Sequence, residues 1–176
     1  MPGTAIPAAV VTELQRQMNH EYGAAHAYNA LAMWCAGRNL KGFARFFHKQ
    51  SGEERGHAQR LADHLLDRGV APELAALPAP ASAFESLLAV AKHARKMEQA
   101  NTKGIHKAYQ AAVKTGDVAA QVTLQWFVGE QVEEEAWCEE MVARVEASGS
   151  PAGLMALDRH IERFLAEKSH AGGEEE

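Results

Sequence analysis

The stretch that decides the fold is Gly52-Glu53-Glu54-Arg55-Gly56-His57, which contains the pattern Glu54-x-x-His57. In a helix, residues three apart lie on one face, one turn from each other. A carboxylate oxygen and an imidazole nitrogen placed in this way can bind the same transition metal. Because Glu-x-x-His pairs also occur on ordinary helix surfaces, the meaning of this pattern depends on the rest of the chain.

The composition predicts a helix-rich globular protein with one sizeable core. The chain has 176 residues, of which 47% are hydrophobic, and a net charge of −5. This charge argues against nucleic-acid binding by phosphate neutralisation and is compatible with a protein that collects cations. No run of 18 apolar residues predicts a membrane span, and the first seven residues do not resemble a signal peptide, so we expect a cytoplasmic protein. Cys35 and Cys138 cannot form a Cys-rich zinc pattern and are expected to be buried.

Prolines divide the chain into two blocks, residues 8–71 and 81–150, each long enough for a pair of helices. Four long helices are predicted, over about residues 7–37, 41–68, 82–115 and 118–147. Gly69 is expected to end the second helix, and Ser82 to cap the third in a capping box with Glu85. Asp117 is expected to cap the fourth.

The link over residues 70–82 is too long for a tight antiparallel turn, and it can instead cross the length of a bundle. A short fifth helix is predicted over about residues 153–168, followed by a flexible acidic tail over 171–176. The sequence therefore predicts an all-α fold, a four-helix bundle with a long crossover between the second and third helices and a short fifth helix. Residues 1–170 are expected to form one domain.

Each long helix has polar residues in the middle of an otherwise apolar inward face. These residues are Glu21, Glu54, His57, Glu98, Gln131 and Glu134. Antiparallel packing brings them to one level, where four ionised carboxylates would repel one another strongly. Two divalent cations would balance these charges. Any one acid could instead bond to a backbone group or to a neighbouring Lys or Arg, but this explanation becomes improbable when four helices share the same interruption.

Oxygen-rich ligation with one or two nitrogens suits iron or manganese better than structural zinc. Glu54 can bridge two such metals about 3.5–4 Å apart. Tyr28 lies two turns after Glu21 on the same face, either as a core aromatic with a bonded hydroxyl or as a donor to the metals. A further set of acids lies beside the inward residues, as a solvated charge run or as an outer acidic site; it comprises Glu53, Glu130 and Glu133.

Four glycines stand inside predicted helices, where each destabilises the helix by about 0.5–1 kcal/mol relative to alanine. They are Gly52, Gly56, Gly104 and Gly129. Close packing and room for a site are both possible reasons. Trp126 lies outside the inward faces and is expected to pack, and His20 is expected to face solvent.

Four stretches of the chain carry a resemblance to a known family: Gln17-Met18-Asn19-His20-Glu21, Glu53-Glu54-Arg55-Gly56-His57, Leu124-Gln125-Trp126-Phe127-Val128 and Glu130-Gln131-Val132-Glu133-Glu134-Glu135. With these stretches the chain resembles the ferritins, most closely the haem-free bacterial ferritins, over about residues 8–168. The resemblance implies a hollow shell of 24 subunits that oxidises Fe(II) with O2 or peroxide and stores a ferric mineral.

The resemblance also implies roles for individual residues. A first iron is expected on Glu21, Glu54 and His57. A second iron is expected on Glu54, Glu98 and Glu134, with Gln131 beside it. A third site is expected on Glu53, Glu130, Glu133 and Glu134. Tyr28 matches the tyrosine near the centre of the family's site.

The chain departs from the bacterioferritins at two places. Glu130-x-x-Glu133 replaces their second Glu-x-x-His, and Arg55 stands where they have a haem-ligating methionine, so haem is not expected. Three alternatives remain. A rubrerythrin-like peroxidase usually carries an added Cys-rich iron domain, a Dps-like shell builds its site between subunits and lacks the fifth helix, and a structural bundle would merely solvate its acids.

Overall fold

The computed structural model describes residues 5–166, which form helices and connecting segments without any strand. The helices are α1 (Ala8–Ala36), α2 (Lys41–Asp67), α3 (Leu87–Thr115), α4 (Val118–Ala147) and α5 (Pro151–Ala166). Within this range, no helix combines the length and apolarity that a membrane span needs. The all-α prediction is confirmed.

The four long helices form a bundle whose second and third helices run parallel. α1 packs along α2, α3 along α4, and α1 along α3. Contacts between α1 and α3 run in opposite chain directions, from Arg16 with Gly104 to Tyr28 with Glu98. Because α1 is also antiparallel to α2, the crossover over residues 68–86 must traverse the bundle, as predicted.

Local sequence explains most helix ends. Gly69 and Gly116 adopt positive φ angles of 77° and 70°, and these residues follow α2 and α3. Asp117 accepts a hydrogen bond from Ala120 N at 3.1 Å and so caps α4, as predicted. The carboxylate of Asp117 also forms an ion pair with Arg68 at 2.8 Å, which ties the end of α2 to the start of α4.

The predicted start of α3 is wrong. Ser86 caps the helix, with its hydroxyl accepting from Ala89 N at 3.1 Å, and α3 begins at Leu87 rather than near Ser82. Residues 71–84 have no regular secondary structure, and Phe84 at their end packs edge-on against Trp34, at 6.1 Å between ring centroids. Tertiary packing therefore overrides the local capping box.

Side chains of α1 hold the crossover against the bundle. Asn19 donates to Glu73 O at 2.9 Å and accepts from Ala75 N at 2.8 Å. Gln15 accepts from Glu73 N at 2.6 Å. These contacts satisfy backbone groups that have no secondary-structure partner, so a segment without regular structure follows one path along α1.

A polar layer divides the interior into two apolar halves. One half, which also receives α5, includes Tyr28, Phe47, Ala91 and Met141. The other includes Leu14, Leu61, Ile105 and Leu124. The layer between them consists of Gln17, Glu21, Gln50, Glu54, His57, Glu98, Asn101, Gln131 and Glu134, all buried.

The fifth helix begins at Pro151, two residues earlier than predicted, and packs on α2 and α4. Proline suits a first helical position because its missing N–H has no partner there. Asp158 of α5 accepts a hydrogen bond from Phe43 N at 3.0 Å. A Cβ on Gly42 would lie 1.7 Å from the carbonyl oxygen of Asp158, so only glycine fits this crossing. The predicted helix end at Lys168 and the tail over 171–176 lie outside the described residues.

We predict that Gly42→Ala displaces α5 and lowers the free energy of unfolding by roughly 1–3 kcal/mol, because a backbone overlap cannot be relieved by a rotamer change. Denaturant unfolding of the apo-protein measures this effect. Gly52→Ala on the same helix is the matched control, since no atom lies within 4 Å of the added Cβ. That variant should gain about 0.5–1 kcal/mol. Equal behaviour of the two variants would contradict the close contact.

Candidate metal centre

Glu21 of α1 and Glu54 and His57 of α2 meet inside the bundle. One ligand atom from each side chain lies within 4.8 Å of the other two. The two carboxylates are 0% exposed and the imidazole is 7% exposed. The i, i+3 spacing in α2 places His57 Nδ1 3.4 Å from Glu54 Oε2. In the described part of the chain, this is the one group of three acidic, His or Cys side chains that is this compact.

The same group contains unsatisfied polar atoms. Both carboxylate oxygens of Glu54 and Nδ1 of His57 are buried without a hydrogen-bond partner. An unsatisfied buried polar atom destabilises a fold by about 1–3 kcal/mol, and more when it is charged. Two bare carboxylate oxygens of Glu54 and a bare ring nitrogen of His57, facing the carboxylate of Glu21, form a donor set that fits an Fe(II) ion.

Glu98 of α3 and Glu134 of α4 are held by other side chains and do not belong to the compact group. Glu98 accepts hydrogen bonds from the Tyr28 hydroxyl and, at 3.1 Å, from Gln131 Nε2. Glu134 accepts from Gln50 Nε2 at 3.0 Å and from the Trp137 indole N–H. The structure thus places all the predicted inward residues in one layer, but only Glu21, Glu54 and His57 lie close enough together to bind one ion.

The layer has four carboxylates and no positive side chain. Among the described residues, no Lys or Arg nitrogen lies within 4.0 Å of Glu21, Glu54, Glu98 or Glu134. Burial raises the pKa of Glu98 to about 7, although hydrogen bonds from Tyr28 and Gln131 oppose the shift. Burial, followed by repulsion from neighbouring acids, raises the pKa values of Glu54 and Glu134 well above their usual range. Without cations, the layer must therefore take up protons.

His57 is suited to metal binding as a neutral imidazole. Burial lowers the pKa of His57, although Glu21 and Glu53 raise it. The ring packs edge-on against Trp126 and Phe127, at centroid distances of 5.4 and 5.7 Å. These contacts fix the plane of the imidazole. They also give Trp126 the packing role that its position in the sequence predicts.

Tyr28 is fully buried, and its hydroxyl donates to Glu98 Oε1. Burial, followed by the charge of Glu98, raises the pKa of Tyr28 well above its ordinary value. Its ring lies 6.0 Å from Phe47 and 6.2 Å from Trp137 between centroids. The phenol is therefore held in its protonated form, with its oxygen against a predicted ligand.

The outer acids lie at the surface edge of the layer. Glu130 Oε2 is 3.9 Å from His57 Nε2, and the Glu130 side chain is 34% exposed. Burial, followed by Glu133 and Glu53, raises the pKa of Glu130. Glu53 pairs with Lys49 at 3.2 Å, and Glu133 is exposed. These acids act on one another electrostatically, although they do not form a compact ligand group.

Sequence reasoning missed the side chains that hold the acids. Each lies one helical turn from a predicted ligand: Gln17 four residues before Glu21, Gln50 four before Glu54, Asn101 three after Glu98 and Trp137 three after Glu134. All four are buried. A search for polar residues one turn from each ligand would have found them.

The structure also shows where His20 and the two cysteines lie. His20 was expected to face solvent but is half-buried, and burial lowers its pKa. Cys35 and Cys138 are both buried, as predicted. Burial raises the pKa of the Cys35 thiol to about 12.

Comparison with known sequences identifies relatives. The model of the ferritin-like domain family matches residues 11–148. The bacterial non-heme ferritin of Staphylococcus haemolyticus is 38% identical over 156 residues, covering 89% of this chain and 92% of that protein. A bacterial non-heme ferritin of Staphylococcus aureus is 39% identical over 144 residues, covering 82% of this chain and 87% of that protein.

Comparison with solved structures gives the same result. An open pore ferritin from the archaeon Archaeoglobus fulgidus superposes with a TM-score of 0.87 and 34% identity, covering 89% of this chain and 96% of that one. A closed form of that ferritin, engineered by mutagenesis, superposes with the same TM-score at 35% identity, with coverage of 89% and 96%. The family model, the curated relatives and the fold agree, and the chain belongs to the ferritin family.

Proposed function

We propose that the protein is an iron-storage subunit with ferroxidase activity, which oxidises Fe(II) at a paired site inside its own helical bundle. The observation that carries the proposal is the compact group of Glu21, Glu54 and His57, in which Glu54 and His57 have bare, buried ligand atoms. Membership of the ferritin family supports iron as the substrate.

The first Fe(II) binds between Glu21, Glu54 and His57. The second binds between Glu54, Glu98 and Glu134, with Gln131 beside it. Because both oxygens of Glu54 are free of hydrogen bonds, this carboxylate can bridge the two ions. Binding the second ion requires Glu98 and Glu134 to exchange part of their present hydrogen bonds for the metal.

Two bound Fe(II) ions together supply two electrons, which reduce O2 to H2O2 when two protons are added. Hydrogen peroxide can accept electrons in the same way. Four carboxylates stabilise Fe(III) more than Fe(II), because the attraction grows with the charge of the cation. Tyr28 holds its proton beside Glu98 and can donate a hydrogen bond or one electron there.

The outer acids Glu53, Glu130 and Glu133 form a third iron position through which ions enter or leave the paired site, with Glu134 shared between the two. The contact between Glu130 and His57 supports this path. We further infer a 24-subunit shell with a mineral core and a cytoplasmic location. The match to nearly the full length of curated ferritins, with α5 seated on the bundle, supports the shell.

The alternatives have less support. Glu21, Glu54 and His57 come from two helices of one chain, whereas a Dps-like site lies between subunits. Cys35 and Cys138 are both buried in the apolar interior, so neither can serve as a surface ligand for iron of the rubrerythrin kind. A purely structural role would leave the bare atoms of Glu54 and His57 without an explanation.

We expect Glu54→Gln to abolish rapid Fe(II) oxidation while the assembly stays intact, because the amide keeps the volume and removes the bridging charge. Stopped-flow absorbance after adding O2 to anaerobically loaded protein measures the rate, and light scattering after size exclusion gives the assembly mass. We expect a loss of at least about 100-fold, because replacing even an outer partner of a metal ligand typically costs about 10–100-fold and Glu54 is a ligand in the proposal.

Asp67→Asn on the same helix is the matched control, since Asp67 is exposed and far along α2 from the layer. It should oxidise Fe(II) like the wild type. Rapid oxidation that survives in Glu54→Gln would place the oxidation site elsewhere. A small oligomer would remove the shell from the proposal.

Metal binding should release protons from the layer, and more at pH 6 than at pH 8.5. Glu98, with its pKa of about 7, holds a proton at pH 6 that a metal must displace, whereas at pH 8.5 it is already ionised. Affinity therefore rises as the pH passes through about 7.

Anaerobic calorimetry with Zn(II), in buffers of different ionisation enthalpy, counts the protons released. Glu85→Gln, which removes an exposed acid, should leave the count unchanged. Without metal, the folding stability of the protein changes with pH in the opposite direction. The raised pKa of Glu98 contributes stability that is fully present below about pH 4.5 and is lost as the pH rises through about 7. An equal proton count at both pH values would contradict this assignment.

A further inference from the structure

A row of side-chain amides runs from the surface of α1 into the polar layer. Arg16 Nη2 donates to Gln17 Oε1 at 3.2 Å and to Gly104 O at 2.8 Å. Gln17 Nε2 then donates to Glu21 Oε1 at 2.8 Å and to Asn101 Oδ1 at 2.5 Å. The half-exposed arginine is thus connected, through one amide, to a ligand of the first iron position.

The row continues into the second half of the layer. Asn101 Nδ2 donates to Glu21 Oε2 at 3.1 Å and lies 3.4 Å from Gln131 Oε1. Gln131 Nε2 donates to Glu98 Oε2 at 3.1 Å and to Thr102 Oγ1 at 3.2 Å. Both oxygens of Glu21 and one of Glu98 therefore receive amide N–H groups.

Arg16 at the outer end of the row and the carboxylates inside it together determine which way every amide points. A guanidinium has donors only, so Gln17 must turn its oxygen toward Arg16 and its NH2 inward. Asn101 then presents its oxygen to Gln17 and its NH2 to Glu21 and Gln131. Gln131 in turn presents its oxygen to Asn101 and its NH2 to Glu98. Reversing any one amide would place an oxygen against a carboxylate or two NH2 groups against each other.

Gly104 makes room for this arrangement. A Cβ at this position would lie 2.5 Å from Gln17 Oε1 and 3.1 Å from Arg16 Nη1. By contrast, no atom lies within 4 Å of an added Cβ at Gly52, Gly56 or Gly129. Of the four helix-interior glycines noted in the sequence, Gly104 is therefore the one at which an added Cβ would displace neighbouring side chains.

We propose that Arg16, Gln17 and Asn101 are positioning residues, which orient Glu21 and, through Gln131, Glu98 toward the two iron positions. This inference rests on the proposed function of the layer. The held ligand Glu21 then faces the bare ligands Glu54 and His57, so the first ion meets one carboxylate whose direction is already fixed.

The test compares two glycine substitutions in the full-length protein. Gly104→Ala should push Gln17 Oε1 away from Arg16, and Gly129→Ala, in open space, is the matched control. The probe is anaerobic Co(II), whose visible absorption reports both affinity and coordination geometry. We expect Gly104→Ala to weaken the first Co(II) about tenfold and to change its band shape, with helix content retained. Gly129→Ala should titrate like the wild type.

A second pair of variants tests the orientation itself. Arg16→Lys keeps a group with donors only, so its Co(II) titration should stay within about threefold of the wild type. Arg16→Gln removes the charged donor that holds Gln17 Oε1 and Gly104 O, so Gln17 is less firmly held against Glu21 and the variant should lose about tenfold in affinity. If Gly104→Ala fails to assemble, this pair of variants alone tests the positioning role.

Wild-type affinity and band shape in both Gly104→Ala and Arg16→Gln would overturn the positioning role, as would equal losses in the lysine and glutamine variants. Those outcomes leave the proposed function standing. If the wild-type protein itself does not bind Co(II) or Fe(II) in the bundle, the proposed function fails, and the positioning role fails with it. The two failures are therefore distinguishable.

Discussion

Burial of four carboxylates in one layer is the constraint on which the rest of the structure depends. Glu21, Glu54, Glu98 and Glu134 are at most 6% exposed and have no Lys or Arg partner in the described part of the chain. Such a layer is unfavourable unless the acids are protonated, hydrogen-bonded or bound to cations. The two apolar halves of the bundle supply the burial energy that keeps this layer closed.

Helix direction places the layer at a single depth. Because α1 and α3 run antiparallel, as do α1 and α2, mid-helix residues meet at the same level although they lie far apart in sequence. The parallel relation of α2 and α3 then requires the long crossover. Asn19, two residues before Glu21, holds that crossover in place, so one stretch of α1 fixes both the outer path of the chain and the inner ligand.

Helical periodicity was sufficient to predict the helices and the depth of the ligands, because a buried acid interrupts an apolar stripe visibly. It could not predict the partners of those acids. Whether Asn101 faces Glu21 depends on the rotation of α3 relative to α1, which no single helix encodes. The same reason explains the error at the start of α3, and it explains why the close contact between Gly42 and Asp158 could not be predicted either.

The hydrogen bonds in the layer are distributed unequally, and the proposed function, in which Glu54 is shared by two ions, gives this inequality a chemical reason. Glu21, Glu98 and Glu134 each accept hydrogen bonds from amide, phenol or indole groups, whereas Glu54 accepts none. A ligand that binds one ion benefits from a fixed direction, but a ligand shared by two ions must turn as the second one arrives. Hydrogen bonds to Glu54 would have to break at that step, so a bare carboxylate is the less costly choice at the shared position. The stability that Glu54 forgoes in the metal-free fold would then be recovered on cation binding.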